Sequence, residues 1–373
     1  MVDLVTQYGH IRSEIDKAIS SVLDSGIFIK GPEVSSFENE LASYMGSKHA
    51  LGCANGTDAL QLAMMALGLE PGDEVITASF TYVATAEVIA LLRLTPVLVD
   101  VLEDTFCLDP VAVERAITPK TKAIVPVHLF GQSADMDAVM AIAKKHNLYV
   151  IEDNAQAIGA TFHSTEGWSK KVGSIGHIGC TSFFPSKNLG CYGDGGAIFT
   201  QDDVLAEKLK MMANHGQKVR YYHDEIGVNS RLDALQAAIL RIKLPRLDQY
   251  IAARQKAASF YDNAFANVSV IKTPVKSSFS THVFHQYTLR LLDGDRDELV
   301  KALNEKGVPA NVYYPVPLHQ QKAYRSERYK DGDFPVSEML SKQVFSLPMH
   351  TELEDDQLSF IAENLISILS HRN

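Results

Sequence analysis

At 373 residues the chain exceeds the usual span of one hydrophobic core, so a large domain with a smaller companion is expected. Its 46% hydrophobic and 21% charged residues give the balance of a globular protein, which excludes a disordered or fibrous chain. A formal net charge of -10 without any basic stripe argues against nucleic acid or an anionic membrane as partner, and no run of about 18 apolar residues offers a membrane span.

The first residues lack a basic start followed by an apolar core, so a soluble cytoplasmic protein is expected. Cys53, Cys107, Cys180 and Cys191 lie too far apart for a paired metal or redox motif and read as free thiols, with Cys180 and Cys191 as small buried residues.

In chain order, Ile11, Ile15, Ile19, Val22 and Leu23 recur at helical spacing and stop at Gly26. A loop over 26–32 carries Phe28 and Lys30 between glycines, either reaching over a site or merely connecting. A second amphipathic helix follows around Phe37, Leu41 and Tyr44. Apolar runs over 49–53, 74–78, 96–101, 123–129 and 148–152 then alternate with helical patterns over 58–67, 83–92, 111–117 and 136–145. Short apolar runs separated by helices imply crossover units, hence an α/β protein with a mostly parallel sheet covered on both faces. Ligands gather at the carboxyl ends of such strands. A further strand is expected over 197–200, and long helices over 232–244 and 250–265 meet near Pro245. An apolar segment over 286–292 opens a smaller α/β unit that ends in a helix over 357–369. The expected division is 1–245 and 246–373.

Five segments could carry chemistry. Asn55-Gly56-Thr57-Asp58 opens a helix and could seat a phosphate, or could be a turn and a cap. Tyr82, at a strand-to-helix transition, could stack on a flat cofactor or sit in the core. Asp153 follows Tyr149-Val150-Ile151, where it could meet a buried cation or cap a helix, and Gln156 could reach the same ligand or face solvent. From Ser182 to Gly196, bulky Phe183, Phe184 and Pro185 precede Lys187, and Gly190, Gly193, Gly195 and Gly196 follow it. That is either a desolvated, nucleophilic lysine or a surface lysine in a flexible loop. Asn229 and Arg231 could bind anions or cap the next helix. His128 and His319 have no partner at metal-ligand spacing, so no metal is assigned.

Together the stretches Cys-Ala-Asn-Gly-Thr-Asp-Ala-Leu, Phe-Thr-Tyr-Val-Ala-Thr-Ala, Ile-Glu-Asp-Asn-Ala-Gln, Ser-Phe-Phe-Pro-Ser-Lys and Gly-Val-Asn-Ser-Arg-Leu-Asp resemble the DegT/DnrJ/EryC1/StrS family of sugar aminotransferases. The resemblance runs from Gly31-Pro32-Glu33 to Ser346-Leu347-Pro348 and implies the fold-type-I architecture of pyridoxal 5'-phosphate (PLP) enzymes. It implies that Lys187 holds the cofactor covalently, Asp153 keeps its ring nitrogen protonated, Gln156 bonds its phenolic oxygen and Tyr82 stacks on its ring. Thr57, Asp58 and Ser182 would seat the phosphate, joined by Asn229 from a second subunit of a homodimer.

Lys-Asn-Leu-Gly-Cys-Tyr-Gly-Asp-Gly-Gly-Ala-Ile-Phe, His-Gly-Gln with Arg220-Tyr221, and Tyr-Pro-Val-Pro-Leu are most similar to WbpE-type 3-aminotransferases within that family. These aminate UDP-2-acetamido-2-deoxy-3-oxo-D-glucuronate with L-glutamate, releasing 2-oxoglutarate, for surface polysaccharide such as lipopolysaccharide. By that likeness Gly26, Phe28, Ser186, Arg231, Tyr313 and Tyr314 would line the sugar-nucleotide site. Two departures stand out: Tyr313 replaces a common histidine, and 163–177 forms a lengthened loop with Trp168 in it and His177 in place of a common aspartate. A dTDP-3-oxo-6-deoxyhexose or a UDP-4-keto-sugar remains an alternative substrate. A dehydratase relative would carry histidine at the lysine position, and a non-catalytic relative would lack Lys187 or Asp153.

Overall fold

The computed structural model describes residues 1–370. Helix α1 (Leu4–Ser25) is started by Asp3, whose carboxylate accepts the Thr6 amide, and buries Ile11, Ile15 and Val22. Helix α2 (Pro32–Met45) buries Val34, Phe37, Leu41 and Met45. Both pack on a later helix of the large unit.

The alternating pattern then resolves into β1 (His49–Cys53), α3 (Gly56–Ala66), β2 (Glu74–Ala78), α4 (Ala84–Leu91), β3 (Thr95–Val99), α5 (Pro110–Ala116), β4 (Thr121–Val125), α6 (Met136–His146) and β5 (Tyr149–Asp153). Next come a short hairpin, β6 (Thr161–His163) with β7 (Ser169–Lys171), then β8 (Ile178–Ser182) and β9 (Gly196–Thr200). Seven of these strands form one sheet in the order β1-β9-β8-β5-β4-β2-β3. Pairing is parallel from β8 to β3, and β9 runs antiparallel to both of its neighbours. Neighbouring residues of a strand serve opposite cores: Val75 joins one apolar cluster and Ile76 the other, as a sheet covered on both faces requires.

Register decides where the site lies. Cys53 pairs with Gly196, Gly196 with Ser182, and Asp153 with Cys180. The carboxyl ends of β1, β5 and β8 therefore meet at one edge of the sheet.

Helix α7 (Asp203–Met212), a second hairpin of β10 (Gln217–Val219) and β11 (Tyr222–His223), and α8 (Ala234–Lys243) follow. Pro245 sits in a tight 3-10 turn, Leu244–Arg246, that runs straight into α9 (Leu247–Phe265). The start of α9 belongs to the large core through Leu247 and Ile251, whereas Ala257, Ala258, Tyr261 and Phe265 pack into a separate cluster. That second cluster lies under an antiparallel sheet of β12 (Ile271–Lys272), β13 (Tyr287–Leu291) and β14 (Val344–Leu347), with α10 (Arg296–Glu305) and α12 (Asp355–Ser370) against it; α11 (Pro335–Gln343) precedes β14. Among the described residues no helix is long and apolar enough to cross a membrane.

One expectation needs correction: the segment over 163–177 is not a plain loop but holds the second strand of a hairpin, and β8, which the sequence reading did not mark, follows it. Phe162 of that hairpin is buried against Trp168 and Phe279. His177 accepts the Val150 amide at its Nδ1 and sets its ring edge-on to Tyr149, so it ties β8 to the start of β5.

Candidate active site

A cavity of about 740 Å³ opens where the carboxyl ends of β1, β5 and β8 meet. Its wall includes Thr57, Asp58, Tyr82, Asp153, Gln156, Ser182, Ser186, Lys187, Tyr313 and Tyr314, which the sequence had marked one by one. A space of this size suits a ligand larger than a single amino acid.

Lys187 is carried by the turn between β8 and β9. Its amide donates to the Phe184 carbonyl at 2.8 Å, and the Cys191 amide returns to the Phe183 carbonyl at 2.8 Å. Phe183 is fully buried and meets Phe37 edge-on, which anchors the turn to α2. Gly190 is required here because a Cβ would strike the Pro185 carbonyl. The buried Lys243 ammonium donates to the Gly190 carbonyl at 2.7 Å and closes the loop from beneath. Lys187 itself is partly buried, and loss of solvent lowers its amine from 10.5 to about 8, against an opposing pull from the Asp153 charge. Its amine has no hydrogen-bond or ion-pair partner among the described residues. The flexible surface lysine is thereby excluded.

Asp153, at the end of β5, is buried and accepts the Thr85 hydroxyl at 2.8 Å and the Ala155 amide at 3.1 Å. No helix follows it, so it caps none. It has no ion-pair partner among the described residues, which leaves a positioned carboxylate for a cation supplied by a ligand. The preceding Glu152 points to structure instead. Although burial opposes its charge, His128 at 3.0 Å and the amides of Gly173, Ile175 and Gly176 outweigh that cost and hold its carboxyl below the usual range. His128 is thus a paired core histidine, as is His319 between Ser79 and Glu338.

Gln156 divides its amide. Its oxygen accepts the Phe130 amide at 2.7 Å and its nitrogen donates to the Tyr314 hydroxyl at 3.0 Å, leaving one N–H for a ligand. Burial raises the Tyr314 phenol above its ordinary value, so it stays protonated. Tyr82 is 58% exposed and tilts against Tyr314, which rules out a core role and leaves a ring face for a ligand.

At the mouth of α3, Asn55 is the cap: its side chain accepts the Asp58 amide at 2.8 Å. The amides of Gly56 and Thr57 lie outside the helix's own bonding, and Ser182 lies beside them on the cavity wall. Asp58 lines the cavity, but its amide is already used and its carboxylate repels an anion. Gly196 permits the arrangement, since a Cβ there would stand 2.5 Å from the Asn55 backbone.

Four expected residues lie off this cavity within one chain. Gly26 ends α1, and the Phe28 carbonyl accepts the Ala234 amide at 2.9 Å, which lays the 26–31 loop along α8. Asn229 is exposed and bridges to Asn214, and Arg231 is only partly buried next to it. Conversely, Thr85, His285 and Gln286 belong to the site without having been marked. Thr85 stood inside a quoted motif, and His285 and Gln286 stood at the opening of an apolar run, where nothing local separates a cavity residue from a core residue.

The DegT/DnrJ/EryC1/StrS aminotransferase family model matches residues 10–366. The chain belongs to that family. Within it, a protein of Geobacillus stearothermophilus named pleiotropic regulatory protein is 47% identical, over 100% of this chain and 98% of that one. The UDP-2-acetamido-2-deoxy-3-oxo-D-glucuronate aminotransferase of Pseudomonas aeruginosa is 49% identical, over 98% of each. The crystal structure of S. venezuelae DesV, solved in complex with a ketimine intermediate, superposes with a TM-score of 0.94 at 42% identity, covering 99% of this chain and 97% of that one. The family's fold is therefore the fold of this chain, with the cavity at the sheet edge.

Proposed function

We propose that this chain moves the amino group of L-glutamate to the 3-ketone of a nucleotide-linked sugar, with PLP held on Lys187. The observation that carries the reading is the pairing, on one cavity, of a lysine whose amine is lowered to about 8 and a buried carboxylate, Asp153, that lacks a cation. When bound, PLP supplies an electron sink for the charge released as a proton leaves the amine-bearing carbon. Asp153 would keep the ring nitrogen protonated. Lys187 would hold the aldehyde and, once free, carry a proton to and from the substrate carbon. The free amides of α3 and Ser182 suit the phosphate, the remaining Gln156 N–H suits the phenolic oxygen, and Tyr82 covers the ring.

The Pseudomonas aeruginosa relative supports UDP-2-acetamido-2-deoxy-3-oxo-D-glucuronate as the sugar, and surface polysaccharide as the destination rests on the resemblance of the sequence motifs alone. One observation favours a second reading, a neutral dTDP-3-oxo-6-deoxyhexose: among the described residues that line the cavity there is no arginine to meet a sugar carboxylate. Arg231 would answer that need from a second subunit. Tyr221, Tyr222 and Ile226 are exposed close to Asn229, and unpartnered apolar surface there supports a homodimer that shares its sites. Four free, buried cysteines fit a reducing cytoplasm. A purely regulatory role, as the name of the Geobacillus relative suggests, gives no reason to keep Lys187 and Asp153 on one cavity, and Lys187 speaks against a dehydratase.

The test is purified protein with PLP and glutamate, offered each sugar in turn, with product mass as the readout. Amination of the glucuronate and loss of all turnover in Lys187→Ala are expected. Amination of the deoxyhexose alone would replace the substrate, and turnover without Lys187 would end the reading.

A further inference from the structure

The turn that carries Lys187 is gripped from two sides. Its incoming half belongs to the sheet: the Phe183 amide donates to the Gly195 carbonyl at 2.7 Å, and the Phe183 ring is buried against Phe37. Its outgoing half, over 190–192, lies on α8. There Lys243 not only donates to the Gly190 carbonyl at 2.7 Å but also lies over the Tyr192 ring, 4.7 Å from its centre. Gln236 takes hold of Tyr192 twice: its Oε1 accepts the Tyr192 amide at 2.9 Å and its Nε2 donates to the Tyr192 carbonyl at 3.3 Å. Gly193 lets Gln236 come this close, since a Cβ there would stand 3.0 Å from that Nε2. Gln236 and Lys243 are spaced to share one face of α8, and Arg241 fastens the helix to α2 through Glu33 and Glu40 at 2.7 and 2.8 Å.

Burying Lys243 is costly. It is 2% exposed and has no ion-pair partner among the described residues, so the Gly190 carbonyl and the Tyr192 ring are left to compensate its charge. A methionine fills the same space without that cost. What the lysine adds is direction, an N–H fixed on one carbonyl of the turn. Neither Gln236 nor Lys243 lines the cavity, so what they do for the reaction passes through the backbone they hold.

We propose that Gln236 and Lys243 are positioning residues for the reaction: by fixing residues 190–192 on α8 they set where the Lys187 amine stands in the cavity. That amine has no hydrogen-bond partner of its own among the described residues, so its place depends on the backbone beneath it. Misplacing a reacting group by about 1 Å can cost about a hundredfold in rate. The inference rests on Lys187 being the lysine that bears the cofactor and carries the proton.

Gln236→Met and Lys243→Met each keep the bulk and remove the grip. In apoprotein, hydrogen exchange read by mass spectrometry should rise about tenfold in the peptide over 188–195 and stay unchanged elsewhere. In holoenzyme, a single turnover with glutamate followed by visible absorbance should slow about tenfold, with the half-saturating glutamate concentration within about twofold of wild type. The isotope effect of α-deuterated glutamate should be undiminished, because the proton step is the one that slows. Gln236→Glu retains the acceptor for the Tyr192 amide and should keep the rate within about threefold. If Lys243→Met does not fold, the contrast between the Met and Glu variants of Gln236 carries the test. A loosened turn with full turnover, an unloosened turn, weaker glutamate binding that matches the loss of rate, or a smaller isotope effect would each reduce the pair to packing. Borohydride reduction and peptide mass give the separate check: a label on a lysine other than Lys187 removes the cofactor reading, whatever the exchange data show.

Discussion

Lys187 and Asp153 act through opposite uses of burial. Desolvation disfavours the charged amine, and the carboxylate next to it stays fixed by Thr85 and the Ala155 amide while awaiting a cation. Only the neutral amine attacks an aldehyde, so PLP attachment should rise with pH and level off above about 8. An ordinary lysine would keep gaining rate up to about 10.5. A profile still climbing at pH 9.5, measured by stopped-flow absorbance, would contradict the desolvated site. Asp153→Asn keeps the shape but loses the charge and one of the two acceptor oxygens, so the Thr85 hydroxyl has to turn and accept. It should retain PLP while turnover drops by about a hundredfold or more, because the ring nitrogen is no longer held protonated. Normal turnover in that variant would leave Asp153 a merely structural group.

At the scale of elements, the site depends on how closely α3 and β9 approach. Gly196 pairs with both Cys53 and Ser182, and its missing side chain lets the α3 mouth sit against the sheet edge. Gly196→Ala has to push the Asn55 backbone aside. The cost should be about 1–3 kcal/mol of stability, and PLP affinity should fall further than thermal stability alone accounts for, as read by cofactor titration beside a melting curve. Unchanged affinity would mean that α3 does not seat the phosphate. The 161–171 hairpin shows the limit of periodicity: three-residue strands are too short to display an alternation, and only the packing of buried Phe162 against partly buried Trp168 reveals why they form.

In the whole molecule, α9 belongs to both cores, and we propose that it couples the large and small units, with the division in sequence near Pro245. The cavity wall draws on both, since Lys187 and Asp153 come from the large unit and His285, Tyr313 and Tyr314 from beyond it. Asn229 is exposed and does not line its own cavity, so its proposed contact needs a second copy. Mixing an inactive Lys187→Ala chain with an inactive Asn229→Ala chain should restore about a quarter of the activity of a fully active dimer population, since one of the two sites in each mixed dimer is then complete. Mixed dimers without activity would argue for sites built from a single chain.

The sequence by itself determined the parallel α/β plan, because strand and helix periods are local features, while the window around Lys187 left two readings open. The family pattern gave expected roles to Lys187, Asp153, Gln156 and Tyr82, which each had two local readings, and all four line the cavity. Tertiary structure alone decided the rest. Asn55 takes the Asp58 amide, Gln156 and Tyr314 become one bonded pair across 158 residues, and the His285 Nδ1 is left buried without a partner. A hydrogen-bond partner far along the chain leaves no trace in spacing. Whether a polar atom is satisfied, and so whether it is free to act, is a property of what the fold packs around it.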